Sequence, residues 1–387
     1  MDATSTDLFA EITAMCADAR CKRVVLEHAE DLSSVPTERM NGTIHPRDQM
    51  LLHSLAQHRD AGAAFSQYFG IALQQYDAAR RIMHALFGVG DDLRVLDFAC
   101  GYGRLLRFLS MTSPREYLWA SELQGDAVAF VGEAFGVHTL ASHEDPAHFD
   151  PPQRFDFIWV ASLFSHLPQA LFDAWLAKLL ALLTPRGVLC FSVRDVALLP
   201  HGSEVPQSGL LYSSDSENHD LGADIYGTTY ADEARVRQAV QRATGDARPV
   251  HRLRRALANE QDLYIVAADA QRDLSPLDGF RRGPWGWLDR RTLSPGGRLT
   301  LEGWAASLDD GVIEVVEIHV NGVRHETQTG IARPDVADAF DDSRLGRAGW
   351  RFECDLGAAA GDAFVVISAR SSRGERALVY AGSVRTG

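Results

Sequence analysis

The residues with the clearest chemical pattern lie near position 100, where an apolar run ends in a carboxylate and a turn of small residues follows. The run Val95-Leu-Asp97 leads into Phe-Ala99-Cys-Gly101-Tyr-Gly103. Glycines in such a turn let the backbone approach a ligand closely, and ligands of parallel sheets bind outside the carboxyl ends of the strands. The pattern therefore predicts a cofactor site where a strand ends and a helix begins.

A second acidic residue, Glu122, closes the next apolar run and lies 19 positions after Gly103. A carboxylate about 20 residues beyond a glycine turn is typical of a site that holds a ribose hydroxyl. The dinucleotide fingerprint G-x-G-x-x-G would also require a glycine at position 106, where this sequence has Leu106. The spacing therefore disfavours a nicotinamide-dependent oxidoreductase.

The pattern D-x-A-x-G-x-G resembles motif I of the class I (Rossmann-like) S-adenosylmethionine-dependent methyltransferases, D-x-G-x-G-x-G, with Ala99 in place of the first glycine. Further segments resemble that family's motifs in the same order: Ser121-Glu122, residues 155–168, and Leu183-Thr-Pro-Arg186-Gly187, where Arg186 replaces one glycine. Four ordered motifs are more specific than any one of them. The resemblance implies an S-adenosylmethionine-dependent methyltransferase without a bound metal.

The resemblance also implies roles for individual residues. Asp97 is expected to reach the amino end of the cofactor, Glu122 the ribose and Leu123 the adenine, while Gly101 and Gly103 pack against the methionine moiety. The other expected cofactor contacts are Ala99, Ala161, an acidic residue after the third strand (Asp145, or its neighbour Glu144), and Tyr68, for which a place in the core is the alternative.

On the acceptor side, methyl transfer mainly requires proximity and alignment, but a hydroxyl acceptor must also lose its proton. His166, just past the fourth strand, is the candidate general base, and a role in shaping the site is the alternative. Residues 201–230 are predicted to form a substrate lid, or else a plain surface loop. Tyr226 in this segment is the second catalytic candidate, and the other aromatic or basic candidates are His143, Tyr212, His219 and Tyr230.

The elements that position these residues follow from the hydrophobic periodicity. Over residues 94–267, short apolar strands alternate with helices, which predicts an α/β fold with a doubly wound, mostly parallel seven-stranded sheet. Residues 1–90 are predicted to be a helical extension that includes a long helix over 61–87. A helix that starts near Pro168 is predicted to run to about Leu183 and to be ended by residues 185–187, before a fifth strand over 187–193.

From Arg298 onward the periodicity changes to two, which is typical of half-buried strands. Asn321-Gly322 between two apolar runs is a strong hairpin signal. We therefore predict a C-terminal all-β sandwich, and this part resembles modules appended to bacterial glycosyltransferases and methyltransferases of surface-polysaccharide clusters. Its tryptophans are candidates for glycan binding, with burial in the core as the alternative. The predicted division is 1–90, 91–270 (methyltransferase domain), 271–290 (linker) and 291–387 (β-sandwich module).

Composition limits the partners. The formal net charge is −14, and an acidic surface repels nucleic-acid phosphates, so no nucleic-acid partner is expected. The sequence contains no apolar run long enough to span a membrane, and Met1–Arg20 lacks the pattern of a secretory signal. The expectation is a cytoplasmic protein, with homo-oligomer formation left open.

Together these observations favour O-methylation of a sugar or glycan intermediate of cell-surface polysaccharide biosynthesis. One alternative is a small-molecule, natural-product methyltransferase. The other is a non-catalytic glycan-binding or scaffold protein that retains the fold, and the presence of both Asp97 and Glu122 argues against it.

Overall fold

The computed structural model describes residues 3–90, 92–200, 202–215, 221–222, 224–313, 315–357 and 361–386. The helices are α1 (Ala3–Ala17), α2 (Ala19–Leu26), α3 (Gln49–His58), α4 (Ala61–Phe87), α5 (Leu106–Thr112), α6 (Gly125–Phe135), α7 (Gln169–Ala181), α8 (Glu233–Thr244) and α9 (Pro334–Phe340). The strands are β1 (Val95–Phe98), β2 (Leu118–Glu122), β3 (His138–Ala141), β4 (Phe155–Val160), β5 (Leu183–Val193), β6 (Leu210–Ser213), β7 (Thr228–Ala231), β8 (Val250–Leu257), β9 (Gln261–Ala267), β10 (Pro284–Leu293), β11 (Arg298–Ser307), β12 (Gly311–Val312), β13 (Val315–Val320), β14 (Val323–Gln328), β15 (Gly349–Asp355), β16 (Asp362–Arg370) and β17 (Arg376–Arg385).

The chain divides into two compact units, here called the sheet unit (residues 75–280) and the β unit (residues 1–74 with 281–387). The sheet unit contains a seven-stranded sheet in the order β3-β2-β1-β4-β5-β9-β8. Strands β1 to β5 are parallel, and β9 runs antiparallel to both of its neighbours. This confirms the predicted fold class.

The strand order fixes where a ligand is expected. Strand β1 pairs with β2 on one side and β4 on the other, so the chain winds in opposite directions from this point. Open α/β sheets bind ligands at such a switch point, outside the carboxyl ends of the strands. Because β1 and β4 are buried along their whole length, the polar residues at their ends are the ones that can face a ligand.

The predicted boundaries of this helix and strand are shifted: α7 ends at Ala181 and β5 already begins at Leu183, so residues 185–187 lie inside the strand. Phe155 pairs with Leu183 and Phe157 with Val188, so one β4 residue, Asp156, faces residues 184–187 of β5. The proline lies in this bulge, where a missing N–H is tolerated. The carboxylate of Asp156, which is 1% exposed, accepts hydrogen bonds from Thr184 Oγ1 (2.7 Å) and Arg186 Nε (3.0 Å), and these bonds hold the bulge.

The β unit contains two antiparallel four-stranded sheets. One has the order β10-β11-β12 with β15 also paired to β11, and the other has the order β14-β13-β16-β17. Both contribute to one hydrophobic cluster that includes Leu301, Val316 and Trp350. The predicted hairpin is confirmed: Asn321 and Gly322 connect β13 to β14 with φ of 50° and 84°, the left-handed pair that a tight hairpin turn requires.

Residues 1–74 group with the β strands, which differs from the predicted separate extension at 1–90. His28 Nε2 lies 2.7 Å from Ser368 Oγ, and the Ala381 amide donates to Ser66 Oγ at 2.8 Å. In addition, residues 284–293 form β10, although the predicted linker extends to residue 290. The sequence of β10 does not alternate regularly between apolar and polar residues, because Gly286 lies between Trp285 and Trp287, but the strand pairs with β11 over its length.

The helices of the described ranges include none that is both long and apolar enough to cross a lipid bilayer.

His28 gives the β unit a pH-dependent stability. Its Nδ1 donates to the Val24 carbonyl (2.6 Å), and burial lowers the pKa of the imidazole to about 4. In the unfolded chain the imidazole binds its proton near pH 6.5, so stability is lost as the pH falls from about 6.5 to about 4.

We expect His28→Gln to remove most of this dependence, because the amide can still accept from Ser368 but does not titrate. The difference between wild type and variant should approach about 3 kcal/mol at pH 4 relative to pH 7, measured from urea unfolding of the β unit. The exposed His53→Gln is the control and should behave as wild type. Identical pH dependence in wild type and His28→Gln would contradict this role.

Candidate active site

The turn between β1 and α5 follows an unusual backbone course. Ala99, Gly101 and Gly103 all have left-handed φ, at 56°, 54° and 75°. Alanine in this region costs about 1–2 kcal/mol relative to the right-handed conformation. Ala99 therefore preserves the shape of the motif despite replacing its first glycine.

The two glycines of this turn have different surroundings. A Cβ atom on Gly103 would lie 2.5 Å from Phe135 Cε2 of α6, whereas a Cβ on Gly101 would meet no atom within 4 Å. The missing side chain at Gly103 thus allows α6 to pack against the turn. The missing side chain at Gly101 leaves open space beside the backbone, which suits the approach of a ligand.

Asp97 is a buried carboxylate at the end of β1. Its side chain is 3% exposed, and burial, with a smaller contribution from the nearby Glu122 carboxylate, raises the pKa of Asp97 to about 8. Across the described ranges, no group donates a hydrogen bond to this carboxylate. An ionised carboxylate in such a position needs a cation or a donor, and perturbed groups of this kind cluster at functional sites.

Glu122 connects β2 to the glycine turn. Its Oε2 accepts from the Gly101 amide at 2.9 Å, and its Oε1 accepts from the Leu123 amide at 2.7 Å. Oε1 also accepts from the Gln124 amide at 3.4 Å. A carboxylate has about four acceptor sites, so Oε2 retains capacity for a ligand hydroxyl. Asp97 in β1, the turn at Gly101 and Glu122 at the end of β2 therefore lie near one another at the carboxyl end of the sheet.

The remaining predicted cofactor residues are more scattered. Leu123 and Ala161 are half-buried and follow β2 and β4 directly. Asp145 is exposed and caps the short 3₁₀ turn that follows it, since its Oδ1 accepts from the Ala147 amide at 2.9 Å. Tyr68 belongs to the β unit, where it is fully buried and donates to Asp48 Oδ2 at 2.7 Å. The Tyr68 contacts support the core alternative, and its cofactor contact stays a prediction.

His166 lies in the loop after β4 and is bonded to the segment that leads into β7. Its Nδ1 is 2.6 Å from the Gly227 carbonyl, and the Gly227 amide donates to the His166 carbonyl at 2.8 Å. The ring of Tyr226 stacks on the imidazole, with centroids 4.4 Å apart and an interplanar angle of 8°. Because a carbonyl can only accept, Nδ1 carries the proton, and the neutral ring has its lone pair on Nε2.

The predicted lid has an ordered stem, the antiparallel hairpin of β6 and β7. Thr229, fully buried, donates its amide to the Ser165 carbonyl (2.8 Å) and its hydroxyl to the Leu167 carbonyl (2.6 Å). Tyr212 and Tyr230 are half-buried in this stem, and partial burial raises the pKa of the Tyr212 hydroxyl. His219 lies outside the described residues. His143 accepts from the Asp145 amide at 3.0 Å, away from the His166 loop in sequence.

Three residues form a closed set of hydrogen bonds at the start of the His166 loop, and the sequence analysis did not predict it. Ser162, with φ of 61°, donates its amide to Ser192 Oγ at 2.7 Å, and Ser192 Oγ donates to Gln261 Oε1 at 2.6 Å. Gln261 Nε2 donates back to Ser162 Oγ at 3.0 Å. These residues belong to three separate segments, and no local pattern marks them.

Comparison with known proteins agrees with this geometry. The family described as methyltransferase domain matches residues 95–187. No curated protein matches the chain significantly. Residues 95–187, which include the glycine turn, therefore match a methyltransferase domain, as the motifs predicted.

Several solved structures resemble about half of the chain. One is the glycopeptide N-methyltransferase MtfA with S-adenosylhomocysteine (16% identity, 50% of this chain and 86% of that one, TM-score 0.35). Another is the Burkholderia thailandensis 1,6-didemethyltoxoflavin-N1-methyltransferase (23% identity, 50% and 77%, TM-score 0.36). A third is an S-adenosylmethionine-dependent methyltransferase from Clostridium acetobutylicum ATCC 824 (14% identity, 51% and 91%, TM-score 0.35).

The different surroundings of the two glycines predict different defects. Gly103→Ala should destabilise the sheet unit by about 1–3 kcal/mol through the Phe135 overlap, in addition to about 1–2 kcal/mol of backbone strain. Gly101→Ala should show only the strain, yet bind S-adenosylmethionine at least about tenfold more weakly. Urea unfolding and calorimetric titration of the folded variants measure the two effects. Wild-type affinity in Gly101→Ala would remove the turn from the cofactor site.

Proposed function

We propose that this chain transfers a methyl group from S-adenosylmethionine to a hydroxyl group of a sugar or glycan intermediate of cell-surface polysaccharide biosynthesis. The observation that carries the acceptor side of the proposal is the buried contact between His166 Nδ1 and the Gly227 carbonyl. It keeps the neutral imidazole in the tautomer whose Nε2 can accept a proton.

The residues around the glycine turn suit the proposed cofactor. Asp97 would lose its proton and pair with the ammonium of the methionine moiety. Glu122 would accept hydrogen bonds from the ribose hydroxyls, Leu123 would contact the adenine, and Ala99 and Ala161 would line the cleft. The open space beside Gly101 would admit the methionine moiety. Bound S-adenosylmethionine supplies an activated methyl group on a sulfonium.

The loop after β4 would supply the acceptor side. A hydroxyl is a weak nucleophile until its proton is removed, and His166 Nε2 would take that proton. Tyr226 would orient the imidazole through its ring and could hydrogen-bond the acceptor through its hydroxyl. Tyr212 and Tyr230 in the hairpin stem add the aromatic and polar surface that a sugar ring prefers. The resemblance of residues 291–387 to polysaccharide-cluster modules supports a glycan rather than an isolated small molecule.

The raised pKa of Asp97 makes cofactor binding depend on pH. The folded chain keeps a proton on Asp97 up to about pH 8, while the ammonium of the cofactor prefers the ionised form. Binding at pH 7 should therefore release close to one proton, and affinity should rise as the pH increases from 6 to 7, below the range of about 7.7–8.0 in which an α-amino group loses its own proton. Calorimetric titration in two buffers with different ionisation enthalpies measures the proton count.

Asp97→Asn should bind the cofactor weakly and release no proton, although it mimics the protonated carboxyl and should fold normally. The exposed Asp150→Asn is the matched control and should release the same proton as wild type. If wild type binds the cofactor at pH 7 without proton release, the proposed pairing with the ammonium is wrong.

The substitution His166→Asn distinguishes two roles of His166, that of a general base and that of a residue that only supports the loop. The amide nitrogen of asparagine can still donate to the Gly227 carbonyl, but the variant has no Nε2. Turnover on a hydroxyl acceptor should fall by about 10²–10⁴, the acid side of the pH–rate profile should flatten, and cofactor affinity should stay the same. Radiolabelled methyl transfer to a panel of nucleotide sugars and glycan lipids provides the rate.

Two outcomes would contradict the assignment of His166 as the general base. A loss below tenfold with an intact pH profile would make His166 structural and favour an amine or thiolate acceptor, which needs no such base. Tyr226→Phe keeps the stacked ring and removes only the hydroxyl, so a large loss in this variant would assign the proton transfer to Tyr226 instead.

A further inference from the structure

We infer that a cleft in the β unit binds a phosphate-bearing ligand at a site of its own. The cleft has a volume of about 580 Å³, and its walls come from α1, the start of α2, the junction of α3 with α4, and strands β10, β16 and β17. This volume is within the range of small-molecule sites. All of its lining residues belong to the β unit, so the inference does not depend on the proposed methyl transfer.

The charge of the cleft differs from that of the whole chain. It is lined by four arginines (Arg20, Arg59, Arg291 and Arg385) and three acidic residues (Glu11, Asp18 and Asp60). The chain has a formal net charge of −14, so an excess of cationic groups in one cleft is a local feature. Arginine offers five N–H donors in a planar fork, which matches the oxygens of a phosphate group.

Three of these arginines are paired with carboxylates of the cleft, and the Arg20–Asp18 pair is the longest of the three at 4.0 Å. Arg291 lies 2.6 Å from Asp60 Oδ2, and Asp60 Oδ1 in turn accepts from the Ala63 amide at the start of α4. Arg385 lies 2.7 Å from Glu11. Each pair occupies only part of the guanidinium donor set, so the arginines are oriented while retaining N–H groups for a ligand.

Arg59 has a different environment. No carboxylate lies within ion-pair distance of its guanidinium among the residues that the structure describes. Its backbone is left-handed (φ 50°, ψ 33°), and its amide ends α3 by donating to the Leu55 carbonyl. A left-handed residue at the end of a helix is usually glycine, and the hydrogen bond that ends α3 involves only the backbone of Arg59. The arginine side chain therefore adds nothing to the helix end, whereas it adds a positive charge to the cleft.

The test uses inorganic pyrophosphate and uridine diphosphate as probes in calorimetric titration of the full chain. Both should bind, and Arg59→Gly should weaken binding at least tenfold while the thermal stability is retained, because glycine relieves the left-handed backbone. Arg290→Gln is the matched control: it is the neighbour of Arg291 on β10, is 64% exposed and does not line the cleft. Its affinity for both probes should equal that of wild type.

The two probes distinguish the source of the phosphate. Tighter binding of uridine diphosphate would indicate a nucleotide or nucleotide-sugar ligand, and equal binding would indicate that the phosphates alone are recognised. Failure of both probes to bind wild type at millimolar concentration would overturn the inference. Unchanged affinity in Arg59→Gly, or equal loss in Arg290→Gln, would overturn it as well. Cofactor affinity should be the same in all variants.

Discussion

The course of the backbone between β1 and α5 is the constraint on which the candidate active site depends. Left-handed residues at 99, 101 and 103 turn the chain so that the Gly101 amide meets the Glu122 carboxylate and Gly103 lies against Phe135. The turn, β2 and α6 are thereby locked to one another. Asp97 is buried beside this turn, and no group in the described ranges donates a hydrogen bond to it, which is why its pKa is raised.

The parts of this site that could be predicted are those with a local signature. A carboxylate at the end of an apolar strand, followed by small residues, indicates a ligand-binding turn whatever surrounds it, and Asp97, Gly101 and Glu122 are recognisable for that reason. The long helix α4 and the Asn321-Gly322 hairpin are similar cases, because helical periodicity and turn chemistry are properties of adjacent residues.

Other features depend on contacts between distant segments. The bulge that places Pro185 inside β5 is stabilised by Asp156, which belongs to another strand. The bond from His166 to Gly227 spans 61 positions, and the ring of Ser162, Ser192 and Gln261 spans 99. The helices of residues 1–74 pack with strands more than 200 positions away. Hydrogen-bonding residues of these types are common on surfaces, so their sequence positions alone predict nothing about such pairings.

The bond between the His166 loop and the hairpin has a consequence for how acceptor specificity could be changed. Residues 226–229 fix the hairpin stem to residues 165–167 through both backbone and side-chain bonds. Among the described residues between Ser213 and Tyr226, Asp215 is also bonded to this stem, because its carbonyl accepts from Thr228 Oγ1 at 2.8 Å. The stem thus has a fixed position relative to the His166 loop. Under the proposed function, substitutions between Ser213 and Tyr226 that keep this bond would alter the acceptor preference without disturbing the bonds of the imidazole.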